Sequence, residues 1–78
     1  MNVETLVTMA NQIADFFDSE AGPAAAPQEI AAHITKFWAP RMRARYIEHA
    51  AAGGAGLQPS ALMAATLLTP VKAASTTM

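Results

Sequence analysis

Apolar residues Val3, Leu6, Val7, Ala10, Ile13, Ala14 and Phe17 recur at the i, i+3, i+4, i+7 spacing of one helical face. Met9 and Phe16 flank that stripe, while Glu4, Thr5, Thr8, Asn11, Gln12, Asp15 and Asp18 fill the opposite half. At about 100° per residue the apolar arc covers roughly half the helix, more than one packing neighbour needs. The pattern predicts a helix over residues 2–18. Asn2 suits its N-cap, and Glu4 suits the positive end of its dipole.

Residues 19–27 then read as a linker, in which Gly22-Pro23 ends the first helix and Pro27 opens the second at its first position. Ile30, Ala31, Ile34, Phe37 and Trp38 make the apolar face of that second helix. Ala39-Pro40 breaks it, because proline lacks an N–H and pushes the preceding residue out of the α region. A third helix is expected from Pro40, with Met42, Tyr46, Ile47 and Ala50 inward and a left-handed C-cap at Gly53-Gly54. The fourth is expected to start at Pro59, with Leu57 stapled onto Leu62, and to run to about Thr69. Its apolar pattern is weaker. The expected architecture is all-α: one domain over residues 1–70, a small bundle of three to four short, proline-initiated helices, with a disordered tail at 71–78.

Composition sharpens this picture. Of 78 residues, 53% are hydrophobic, but alanine supplies 19 of those 41 and leaves 22 larger apolar side chains. So short a chain buries only about 60% of its unfolded surface, which makes a partner subunit an expected source of stability. Cysteine is absent, which excludes disulfides and thiolate-held zinc or iron–sulfur clusters. A net charge of −1 and a pI near 6.0 argue against general nucleic-acid binding. No apolar run approaches the roughly 18 residues of a membrane span. Glu4, Asn11, Gln12 and Asp15 interrupt any secretory h-region, so a cytoplasmic location is expected.

Candidate chemistry is thin. Glu29 and His33 share a helix face, but His49 lies sixteen residues further along, so three or four converging metal ligands are not expected. Ser19, Ser60 and Ser75 lie in linker, cap and tail contexts, unlike activated nucleophiles. Gly53, Gly54 and Gly56 precede no Lys-Ser/Thr and read as a cap, not a phosphate loop. The informative stretch is Phe37-Trp38-Ala39-Pro40-Arg41-Met42-Arg43-Ala44-Arg45, which holds the single tryptophan and three of five basic residues. Trp, Met and Arg are enriched in interface cores. Phe37, Trp38, Pro40, Arg41, Met42, Arg43 and Arg45 are therefore the expected partner-binding residues. Arg43 falls inside the apolar arc of its helix. Its guanidinium either snorkels outward or pairs with a partner carboxylate, a phosphate or a helix C-terminus.

Three blocks, in order and spacing, resemble one family. They are Met9-Ala10-Asn11-Gln12-Ile13-Ala14-x-Phe16-Phe17, His33-Ile34-x-Lys36-Phe37-Trp38-x-Pro40-Arg41-Met42-Arg43 and Gly53-Gly54-Ala55-Gly56-Leu57-x-Pro59. The family is the delta subunit of the soluble, molybdenum-containing NAD-dependent formate dehydrogenase, and the similarity runs from about Leu6 to Leu68. Ala39 and Gln58 stand at cap positions where that family often has acidic residues, so both helix starts should be weaker here. The resemblance implies an accessory subunit that is not itself an enzyme and carries no cofactor. It implies an alpha partner holding molybdenum bis-pterin guanine dinucleotide and iron–sulfur clusters, and beta and gamma partners holding FMN, further clusters and the NAD site. Alternative readings are a transient chaperone-like factor for the apo-enzyme and, with the low pI against it, a nucleic-acid-binding module using Arg41, Arg43 and Arg45.

Overall fold

A computed structural model describes residues 2–68. Four helices follow in order, α1 (Val3–Glu20), α2 (Ala26–Phe37), α3 (Pro40–Ala51) and α4 (Pro59–Leu67), and no strand occurs among the described residues. The expected all-α bundle is thus borne out. The predicted tail at 71–78 lies outside the described residues.

Local chemistry explains most boundaries. Asn2 caps α1, its Oδ1 accepting the Glu4 amide N–H at 2.7 Å. The helix runs two residues past the expected end. It closes where Ala21 N–H reaches the Phe17 carbonyl at 2.8 Å and Gly22 takes φ +84°. Pro27 stands second in α2, not first, since Ala26 is already helical. Ala39 and Gln58, as N-caps of α3 and α4, are extended and give no side-chain cap, which the sequence at those positions anticipates. Helix α4 stops earlier than expected: Leu68 is extended with ψ 141°, ahead of Pro70.

The α3–α4 connection turns on glycines with positive φ, of which Gly54 is the most tightly enclosed. Gly54 N–H bonds the His49 carbonyl at 2.9 Å in a left-handed cap with φ +65°. A Cβ there would lie 2.5 Å from Leu62 Cδ1 and 3.4 Å from Leu57 Cδ1. The two leucines predicted to staple the start of α4 therefore converge over Gly54.

Helix α1 packs against all three others, and α4 packs most extensively on α2. The core holds Leu6, Ala10 and Ala14 of α1, Ala26, Ile30, Ala31 and Ile34 of α2, Tyr46 of α3, and Ala61, Ala64 and Ala65 of α4, with Trp38 and Leu68. Fully burying Leu6, Ile30 and Ile34 contributes roughly 1.5–3 kcal/mol each. Helix α4 is inverted relative to hydrophobicity: its alanines face in, whereas Met63 and Leu67 face out, 54% and 50% exposed. Alanines at the seam let the α2 and α4 backbones approach closely, and a row of leucines would hold them apart.

Candidate functional site

The turn between α2 and α3 divides the Phe37–Arg45 stretch into an inner and an outer set. Pro40 starts α3 from an extended Ala39, which turns the indole of Trp38 inward. Trp38 is buried, and its ring centroid lies 5.5 Å from that of Tyr46 at an interplanar angle of 59°. Trp38, expected from sequence among the partner-binding residues, is therefore a core residue of this chain, packed internally against Tyr46. Arg43 is partly buried, and its Nη1 donates to the Trp38 carbonyl at 2.9 Å and, at the limit of a hydrogen bond, to that of Thr35 at 3.5 Å. These carbonyls belong to the C-terminal end of α2, where a cation also meets the negative end of the helix dipole. Of the readings open for Arg43, the helix C-terminus is the one realised. Met42 is half-buried against the core. Phe37, Pro40, Arg41 and Arg45 are the exposed members of the set.

Phe37 continues onto a surface that the Trp38-to-Arg45 pattern does not announce. Phe16 and Phe17 meet edge to face at 4.9 Å and Phe17 and His33 at 6.2 Å, and the rings of His33 and Phe37 lie tilted at 4.8 Å. The row crosses from α1 to α2 and ends in two rings that are 58% (Phe16) and 69% (Phe37) exposed. One shallow hollow of about 240 Å³ is lined by Gln12, Ile13, Phe16, Phe17 and His33. A second, of about 170 Å³, adds Glu29, Ala32, Lys36 and Phe37. An apolar aromatic centre with a polar rim is the anatomy of a protein-binding patch. Phe16, Phe17 and His33 were missing from the expected site. The signal for the first two was the apolar arc of α1, too wide for the neighbours that cover it.

Several polar side chains serve the fold. Asn11, placed by sequence on the solvent face of α1, is a double tether. Its Nδ2 donates to the Gly56 carbonyl and its Oδ1 accepts Gln58 N–H, both at 2.9 Å. His49 Nε2 lies 2.9 Å from the Ala55 carbonyl and steadies the same loop. The Tyr46 hydroxyl donates to the Ala61 carbonyl, and burial pushes its pKa up to about 12. Ser60, buried at the start of α4, donates to Asp18 Oδ2 at 3.0 Å. No three His, Cys, Asp or Glu side chains among the described residues converge as metal ligands. No helix among them is long and apolar enough to cross a membrane.

Fold and surface together define a small all-α domain whose outward chemistry is an aromatic patch on two packed helices. Over residues 5–65 the chain matches the family described as NADH-dependent formate dehydrogenase delta subunit, FdsD. It belongs to that family, as its three sequence blocks suggest, and is thereby a subunit of a formate dehydrogenase. It has no match among curated proteins or among solved structures.

Proposed function

We propose that this chain is a non-catalytic accessory subunit of a cytoplasmic NAD-dependent formate dehydrogenase, which converts formate and NAD to CO2 and NADH. It docks on the alpha subunit and supports that subunit's assembly, stability or cofactor insertion. The molybdenum bis-pterin guanine dinucleotide, FMN and iron–sulfur clusters belong to the alpha, beta and gamma partners, and this chain holds none. The observation that carries the reading is the exposed aromatic row ending in Phe16 and Phe37, a large apolar investment on the surface of so small a bundle. Phe37, Arg41 and Arg45 contact the partner directly alongside Phe16. Trp38, Pro40, Met42 and Arg43 set the direction in which those residues point.

The test is a pull-down with a tagged chain, with molybdenum and flavin measured in the captured material. The wild-type chain is expected to recover active enzyme in stoichiometric amounts. A Phe16→Ser/Phe37→Ser double variant should keep its helical circular dichroism and lose capture at least tenfold, the effect of removing hot-spot side chains. Equal capture by both chains overturns the assignment of this surface. Capture restricted to molybdenum-free enzyme identifies a transient maturation factor instead.

A further inference from the structure

A second feature lies at the junction of three helix ends. A cleft of about 420 Å³ is lined by Asp18, Pro23, Pro27, Pro59, Ser60 and Met63, within the usual size range of a binding site. Its single charge is the Asp18 carboxylate. One oxygen of that carboxylate accepts the Ser60 hydroxyl; the other, Oδ1, is shut away from solvent and has no hydrogen-bond donor among the described residues. The starts of α2 and α4 bring the positive ends of two helix dipoles to the cleft, but Ser60 is the one side-chain donor in its lining. The last turn of α1, which ends two residues beyond Asp18, carries no basic side chain. Pro27 and Pro59 occupy helix-start positions where another residue would offer a backbone N–H, and proline offers none. The cleft thus holds one carboxylate with a single side-chain donor, on otherwise apolar walls. A carboxylate in that setting is stabilised by a charged donor entering from outside.

We propose that this cleft receives an arginine side chain of a partner subunit, its guanidinium on the Asp18 carboxylate and its stem against the prolines and Met63. The inference rests on the reading of this chain as a docked subunit. Arginine suits the site better than lysine. Its planar fork presents more than one N–H to the carboxylate, it is more weakly hydrated, and its apolar stem packs on apolar walls. Met63 is half-exposed and flexible, so it yields readily to an entering side chain.

Two arms test this. In the first, N-acetyl-arginine amide is titrated into the full chain, with resonances followed by NMR and the neutral N-acetyl-citrulline amide as control. Saturable shifts are expected at Asp18, Ser60 and Met63 with the arginine compound, and binding at least tenfold weaker for citrulline or for Asp18→Asn. Equal responses to the two compounds overturn the proposal. In the second arm, Asp18→Asn and Met63→Lys are carried through the pull-down. Met63→Lys places a cation at the cleft from within, on an exposed position that folding tolerates. Both variants are expected to lose capture at least tenfold, with Asp18→Asn melting no lower than wild type because it removes a poorly satisfied charge. If wild type captures the enzyme and both variants capture it equally well, the cleft plays no part while the docking reading stands. A wild-type chain that captures nothing overturns both.

Discussion

Replacing Tyr46 by phenylalanine isolates one buried hydroxyl in a chain with a single tyrosine and a single tryptophan. The Tyr46 side chain is 1% exposed, its hydroxyl bonds the Ala61 carbonyl, and desolvation raises its pKa from 10.0 to about 12. Deleting the hydroxyl at neutral pH should cost about 1 kcal/mol, the usual net worth of such a bond. The alkaline behaviour is more diagnostic. Between the two pKa values the unfolded chain has released a proton that the folded chain keeps, so the stability of the folded form falls as pH rises. The contribution is intact below pH 10 and is lost as pH climbs through about 12. From the linkage relation the loss is about 1 kcal/mol at pH 11 and about 2 kcal/mol at pH 12, approaching about 3 kcal/mol at higher pH.

Urea denaturation of wild type and Tyr46→Phe from pH 8 to pH 12 measures this directly. Wild type is expected to be the more stable below pH 10, and the two curves should cross near pH 11, about where the linkage loss overtakes the hydroxyl's worth. Lysines titrate in both chains and cancel in the difference. Tyrosinate absorbance gives an independent reading, since Tyr46 alone reports. Trp38, at 5.5 Å between ring centroids, should lose fluorescence as the tyrosinate forms. Parallel stability curves across the whole range, or a tyrosine titrating near 10 in the folded chain, would refute the placement of this hydroxyl in the core.

Arg43→Ala should destabilise the chain by about 1–2 kcal/mol in thermal or urea unfolding, because it removes a charged donor from the end of α2. Arg43→Lys should restore part of that, since an ammonium reaches one carbonyl and lacks the fork. Asn11→Ala should cost about 1–3 kcal/mol by leaving the Gln58 amide and the Gly56 carbonyl without their shared partner. Asn11→Asp should recover the Gln58 half alone, seen by hydrogen exchange as protection of Gln58 N–H.

How much of this was legible in the sequence varies by element. Proline and asparagine acted locally, so the starts of α1, α3 and α4 could be read directly. So could the uncapped starts at Ala39 and Gln58, because a cap is a property of one side chain. The double glycine at the end of α3 was equally plain. Trp38 was not. Its composition-based reading as an anchor follows interface statistics, whereas its position follows from a turn that swings the indole onto Tyr46 eight residues later. Asn11 and Asp18 sit on the polar half of α1, and only their tertiary neighbours, Gly56, Gln58 and Ser60, turn them into tethers. Helix α4 misleads for a related reason. Hydrophobic periodicity weighs Leu and Met above Ala, but the seam with α2 selects for smallness. The aromatic row was half visible, in the excess width of the α1 arc. Its far end at His33 and Phe37 depends on how α2 lies across α1.

The alanine seam of α4 has a consequence for how this chain tolerates change. In most small domains the least replaceable positions are the bulky ones, where truncation opens a void. Here Ala61 and Ala64 are wholly enclosed, so the damaging direction at α4 is enlargement. A leucine at either position must displace a neighbouring backbone, at a cost of about 1–3 kcal/mol or more. Met63 and Leu67, half in water, can be traded for polar residues at little loss to the fold. A saturation library would therefore show α4 striped against intuition, with methyl groups fixed and large side chains negotiable.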